Sequence, residues 1–243
     1  MKQILKTSII LIFLNLIFTI EALSSENKKC LVAIHGLART SNSLNKVEKK
    51  FKKIGFIVWN ESYPSTEKKV EDLSNVVGRG LDFCKSQNAE SIYFITHSMG
   101  GILVRHYFQD KMNDPLIIKI KAVVMLSPPN HGSEIVDAFK SQSWFKWFNG
   151  PAGLQMGTEI TSLPNSLKSI PLNIGVITGN VSSDPWFSYL FGGPNDGKVS
   201  VESAKLKEMK DFLVVPRGHT FIMDSDDVIK NIVYFFEHSV FIK

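Results

Sequence analysis

The sequence predicts an α/β domain built on a mostly parallel sheet with helices on both faces. Three observations predict it. Short apolar runs rich in β-branched residues recur along the chain, bounded by turn residues, as strands buried on both faces require. Between them lie stretches with apolar residues at helical spacing. Around Ser98 a strand, a sharp turn and a helix follow one another without a gap. Repeated strand–helix alternation makes the sheet parallel, because parallel neighbours need a crossover between them.

Taken in order, residues 30–34 read as a buried strand that ends in His35-Gly36-Leu37-Ala38-Arg39. A glycine directly after a strand lets the backbone turn tightly, and the N–H of Leu37 then faces the space above the sheet. His35 reads as a structural histidine under this loop rather than a base. Arg39 reads equally as a surface residue or a loop clamp. Leu44, Val47, Phe51 and Ile54 fall at helical spacing with lysines on the other face, and Gly55 ends that helix. Residues 56–59 form the next strand. Thr66 is placed to cap a helix carrying Val70, Leu73, Val77 and Leu81.

Residues 92–95 are a third strand, and the helix after Ser98 runs to about Gln109. Asp114-Pro115 breaks the chain. Residues 122–126 are a strand followed by Ser127-Pro128-Pro129-Asn130-His131-Gly132-Ser133. From about 134 to 171 the alternation stops, and Ser143-Trp144-Phe145-Lys146-Trp147-Phe148 is densely aromatic. An insertion here would lie over the strand ends that carry Ser98. It reads as local packing that lines a pocket, with a lid that touches lipid as the competing reading. Residues 172–179 and 212–216 are the last strands. Asp224 or Ser225 caps a final helix with Ile229, Ile232, Val233 and Phe236 on its core face.

The bulk numbers agree with one domain. The chain has 243 residues and a net charge of +5, spread through lysines without a dense basic tract beyond Lys49-Lys50 and Lys52-Lys53. No zinc-ligand spacing, P-loop or aromatic–basic interleaving occurs. Nucleic-acid partners, a metal and a bound cofactor are therefore not expected. The N-terminus departs from the rest. Two lysines in residues 1–6 precede an almost wholly apolar stretch over 7–20, then small residues at 22–25. That stretch is short for a spanning helix and has the layout of an export signal. The expected organisation is a signal peptide over 1–24 and one domain over 25–243, exported to the periplasm or the exterior, with envelope association open. No cysteine lies at the cleavage region, which argues against a lipoprotein. Cys30 opens a strand and Cys84 lies late in the helix before the Ser98 strand, so both fall at the strand starts. A disulfide is open to them in an oxidising compartment, and two buried thiols are the alternative.

A serine hydroxyl attacks a carbonyl only if a base takes its proton, and the base needs a carboxylate on its far nitrogen. Asp196 follows the penultimate strand and His219 follows the last one, so both loops open where Ser98 sits. The order Ser98, Asp196, His219 matches the order expected when the acid follows one late strand and the histidine the last. Rivals are His131, which also follows a strand end, and Asp184 for the acid. His97 is expected to point away from the serine, and His106 and His238 lie on helices. The candidate oxyanion donors are the backbone N–H groups of Leu37 and Met99. Thr96 stands where such elbows usually carry a glycine, so the turn is expected to open slightly.

These pieces carry a resemblance. His35-Gly36-Leu37, Thr96-His97-Ser98-Met99-Gly100-Gly101, Pro128-Pro129-Asn130-His131-Gly132-Ser133, Asp196-Gly197-Lys198-Val199-Ser200 and Gly218-His219-Thr220 resemble the α/β-hydrolase superfamily, in particular small bacterial lipase-like serine hydrolases. The resemblance implies a minimal version of that fold with an insertion after the sixth-strand equivalent. It implies ester hydrolysis through an acyl-enzyme, with Ser98 as nucleophile, His219 as base and Asp196 as orienter. Acyl transfer, thioester or amide cleavage on the same residues is the alternative. The substrate expected is a small-molecule or lipid ester, with transient contact at a membrane surface as an added partner. The aromatic stretches 144–148 and 186–191 suggest an apolar acyl pocket.

Overall fold

Alternation along each strand decides which side chains meet which helices. The computed structural model describes residues 27–111, 114–182 and 185–243, so the expected signal segment 1–24 and the rival acid Asp184 lie outside the described residues. Its six strands are β1 (Lys29–Ile34), β2 (Ile57–Asn60), β3 (Ser91–His97), β4 (Ile120–Leu126), β5 (Ile174–Gly179) and β6 (Asp211–Val215). They form one sheet in the order β2-β1-β3-β4-β5-β6, and every pair is parallel. On one face Val32, Ile34, Ile92, Phe94, Val123 and Met125 join one core. On the other, Leu31, Ala33, Tyr93, Ile95, Val124 and Leu126 join a second. The period of two thus supplies both faces at once.

Helices α1 (Asn45–Lys53), α2 (Val70–Leu73), α3 (Asn75–Ser86), α4 (Met99–Phe108), α5 (Glu134–Phe139), α6 (Ser143–Leu154), α7 (Leu163–Ser166), α8 (Val201–Ala204) and α9 (Asp226–His238) complete the described chain. Val47 and Phe51 of α1 and Ile229, Ile232 and Phe235 of α9 cover the second core, while Val77 and Leu81 of α3 and Ile102 and Phe108 of α4 cover the first. Among the described residues no helix is long and apolar enough to cross a membrane.

Three local expectations need correction. Thr66 does not cap a helix. The helix begins at Val70 after Lys69, and the N–H of Val70 donates to Gln155 Oε1 at 2.9 Å. A side chain distant in sequence fills the capping role. The expected single helix over 70–81 is also two, split at Ser74, whose hydroxyl donates back to the Glu71 carbonyl at 3.0 Å. Ile54 leaves the core face because it is the last residue before the Gly55 turn, and it is 39% exposed. At the other end of the chain Ser225 stands as the N-cap of α9.

The aromatic stretch divides. Phe145 is buried and Trp144 half-exposed, but Trp147 and Phe148 are 78% and 60% exposed. Local packing accounts for Phe145 and Trp144 and leaves the other two facing solvent. The segment breaks at Gly150-Pro151, where Gly150 takes a positive φ of 60°.

Cys30 and Cys84 are bonded, with Cα atoms 5.7 Å apart and both side chains buried. The bond pins the C-terminal end of α3 to the start of β1. It closes a 54-residue separation, so it restricts the unfolded chain strongly. Reducing it, or replacing both cysteines by serine, is expected to lower the unfolding free energy by about 2–4 kcal/mol in urea titrations. Equal midpoints with and without reductant would show that the bond contributes nothing.

Candidate active site

The strand order places the site. From β1 the chain moves outward to β2, then returns to the other side of β1 for β3 and continues through β6. The C-terminal ends of β1 and β3 therefore flank the point where the winding reverses, and a crevice opens there. Ser98 follows β3 directly and heads α4. Its backbone lies at φ 53°, ψ −126°, a region an L-residue occupies only when its surroundings enforce it. The N–H of Ser98 donates to the Leu126 carbonyl at 2.8 Å, which ties the turn to the end of β4.

The loop after β1 comes against this turn. A Cβ on Gly36 would stand 2.9 Å from Ser98 Cβ, so only glycine fits there. Leu37 follows at once, and Leu37 and Met99 both line the cavity that contains Ser98. Thr96 is fully buried and pairs in register with Ile34 on one side and Met125 on the other. The threonine is thus held within the strand without a break in pairing.

His219 and Asp196 reach Ser98 from the loops after β6 and β5. His219 Nε2 lies 3.0 Å from Ser98 Oγ, and His219 Nδ1 lies 2.8 Å from Asp196 Oδ2. A carboxylate only accepts, so Nδ1 carries the hydrogen and Nε2 is left to accept from the serine. Asp196 Oδ1 accepts from the N–H groups of Lys198 at 3.0 Å and Val199 at 2.8 Å. Gly197 at φ 95° allows the tight turn that brings these N–H groups back to the carboxylate. The His219 N–H donates to the Asp196 carbonyl at 2.9 Å, so backbone and side chain hold the pair together. Burial alone would raise the Asp196 carboxyl; the facing His219 charge and its hydrogen bond, with smaller help from the Val199 N–H, hold it below the usual carboxylate range.

The other histidines are elsewhere engaged. His131 is exposed, with Nδ1 2.8 Å from Asn165 Oδ1, and takes no part in the cavity. His106 contacts Ser74 Oγ at 3.0 Å. His35 is buried beneath its loop: Nδ1–H donates to the Gly36 carbonyl at 2.8 Å, Nε2 accepts from the Tyr63 N–H at 3.2 Å, and the rings stack at 4.1 Å. His97 makes no hydrogen bond to Ser98. Its Nε2–H donates to the His219 carbonyl at 2.9 Å, so it steadies the loop that carries His219. Sequence reasoning overlooked that role, since a bond spanning 122 positions leaves no local signal. Arg39 proves to be a clamp: Nη2–H donates to the Thr220 carbonyl at 2.8 Å and joins the loops after β1 and β6.

Cavity chemistry is divided. The volume is about 280 Å³, and Val136, Phe139, Phe145, Met156 and Phe187 form an apolar wall beside Ser98. The aromatic stretches expected to line a pocket do so through Trp144, Phe145 and Phe187. Phe139, Val136 and Met156 were not singled out, because nothing in their local pattern separates a cavity wall from core.

Burial lowers the pKa of His35 and pushes that of His97 well down, with the neighbouring His219 adding to the latter. Both take up a proton less readily in the fold than in the unfolded chain, which does so below about pH 6.5. The unfolded state then binds more protons, so stability falls as pH drops through that value, by up to about 1.4 kcal/mol per pH unit for each histidine. Asp196, with its lowered pKa, loses its contribution only at still lower pH. Urea unfolding between pH 7.5 and 5.5 is expected to show this slope, reduced by one proton in His97→Gln. An unchanged slope in that variant would remove His97 from the account.

No family model matches the chain, and no curated protein matches it. Solved structures do. The mature form of the Bacillus licheniformis lipase BlEst2 superposes with a TM-score of 0.66 at 16% identity, over 87% of this chain and 93% of that one. A monoacylglycerol lipase from Paleococcus ferrophilus gives 0.55 at 16% identity, over 86% and 94%. The Legionella pneumophila phospholipase PlaB gives 0.58 at 19% identity, over 73% of this chain and 46% of that larger one. The parallel sheet, the elbow after its third strand and these likenesses together identify the chain as having the α/β-hydrolase fold.

Proposed function

We propose that this protein is an exported serine hydrolase that cleaves carboxylic esters through an acyl-enzyme on Ser98. The observation that carries the reading is the continuous chain Ser98 Oγ, His219, Asp196 at 3.0 and 2.8 Å, opening on an apolar cavity. In this mechanism Ser98 Oγ attacks the ester carbonyl and its proton passes to His219 Nε2. Asp196, ionised and bonded to Nδ1–H, stabilises the imidazolium. Charge on the carbonyl oxygen is met by the N–H groups of Leu37 and Met99 at the start of α4. Collapse breaks the bond to the alcohol oxygen, which takes the proton from His219. Water then attacks the acyl-enzyme by the same route and frees Ser98.

The apolar wall of Val136, Phe139, Phe145 and Met156 suits the acyl chain, so esters of longer acids are expected to react faster than acetates. Neighbours in fold that are called lipases and a phospholipase agree with an ester substrate. The buried disulfide agrees with export, since such bonds persist in oxidising compartments. Trp147 and Phe148, exposed beside the cavity residue Trp144, suit transient contact with a lipid surface.

A fluorophosphonate probe tests the reading directly. Wild type is expected to be labelled at Ser98, with labelling abolished in Ser98→Ala and His219→Ala. In Asp196→Asn, ester turnover is expected to fall by about 10²–10⁴-fold. A folded wild-type protein that takes no label, or label that survives His219→Ala, would overturn the proposal.

A further inference from the structure

Arg39 stands apart from the other described arginines. Arg79 pairs with Glu61 and Arg217 with Asp227, while Arg105 is buried against the Asn130 carbonyl. Arg39 forms no ion pair with any described carboxylate, and one of its five N–H donors is used, on the Thr220 carbonyl. It lines the cavity of Ser98 and also a second, polar cavity bordered by Thr40, Asn42, Ser43 and Thr220. Ala38 and Arg39 are the shared wall between the two.

Arg39 thus brings spare guanidinium donors to the boundary between the Ser98 cavity and the polar one, with no described carboxylate to occupy them. The Ser98 cavity has an apolar wall along Val136, Phe139 and Phe145 for the acyl chain and two cations on its lining, Arg39 and Lys198; only Arg39 also borders the polar cavity, so the alcohol portion is placed toward Arg39.

We propose that Arg39 binds a phosphate on the alcohol portion of the substrate, so that the preferred esters are acylated alcohol phosphates of the acylglycerol-phosphate type. This rests on the ester-hydrolase reading above. Phosphate fits because the guanidinium fork meets two of its oxygens at once, with the hydroxyl groups of Thr40 and Thr220 nearby for further contacts. Asp224 also borders the polar cavity and repels a polyanion filling it. The ligand therefore carries its charge at Arg39 and neutral hydroxyls elsewhere.

Two measurements test this. In the first, glycerol 3-phosphate is titrated calorimetrically into Ser98→Ala, which binds without turning over. Binding is expected there, weakened about tenfold or more by adding Arg39→Ala and partly restored by Arg39→Lys. In the second, kcat/KM is compared for 1-butyryl-glycerol 3-phosphate and 1-butyryl-glycerol in wild type, Arg39→Ala and Arg39→Lys. Wild type is expected to prefer the phosphate by about tenfold or more, and Arg39→Ala to bring the ratio near unity. Equal loss on both esters would mean that Arg39 only clamps Thr220, and absent or Arg39-independent binding of glycerol 3-phosphate would equally overturn the proposal. Failure of the hydrolase reading would look different: glycerol 3-phosphate would bind through Arg39 while neither ester turned over. Asp224→Asn gives an independent check, since removing that carboxylate is expected to tighten glycerol 3-phosphate.

Discussion

The site depends on the backbone of Ser98. A serine at φ 53° is strained by about 1–3 kcal/mol, and it holds only because every neighbour leaves it no alternative. The strand before it is paired on both sides, the helix after it begins at once, and its N–H is bonded to the end of β4. Gly36 closes the space from the β1 side, where any side chain would collide with Ser98. Relaxing the turn would move the hydroxyl away from His219 Nε2 and break the hydrogen bond between them. The position of Ser98 is thus a property of the sheet rather than of the loop.

Electrostatics select one histidine from several. His35 and His97 are buried without a carboxylate and are held neutral by desolvation. Each then serves as a fixed hydrogen-bond donor to a backbone carbonyl, at Gly36 and at His219. His219 alone faces a buried carboxylate, and that carboxylate has two backbone N–H groups to keep it ionised. The same residue type therefore does structural work in two places and in the third joins a buried carboxylate to the Ser98 hydroxyl, the arrangement on which the proposed proton transfer rests.

Much of this was legible in the sequence because it rests on local signals. The strands show as short apolar runs, and the elbow as a serine between a strand and a helix. Asp196 and His219 were findable because each follows a late strand and Asp196-Gly197 is a turn pair. What could not be read lies in contacts between distant positions. The cap on Val70 comes from Gln155, the clamp on Thr220 from Arg39, and the brace on His219 from His97. The aromatic run 144–148 misled in another way. Its composition argues for burial, yet Trp147 and Phe148 face outward, because a short helix over the strand ends has only one side to pack.

The strain around the Ser98 turn and the disulfide lie at opposite ends of the sheet. Ala38, Ser98 and Ser127 all take positive φ, and they follow β1, β3 and β4 at the C-terminal edge. These are unfavourable conformations for residues with a Cβ, and three of the five such residues among the described ones fall where the chemistry is proposed, the other two, Asn88 and Ser239, following helix ends. The disulfide lies at the N-terminal edge, joining the start of β1 to the end of α3. Placed at the reactive end, a cross-link would have to share space with the cavity and its loops. Placed beneath, it fixes β1 and the helix leading into β3, the two strands whose ends form the crevice. The stability of the lower edge can then offset strain at the upper one without touching the residues that hold it.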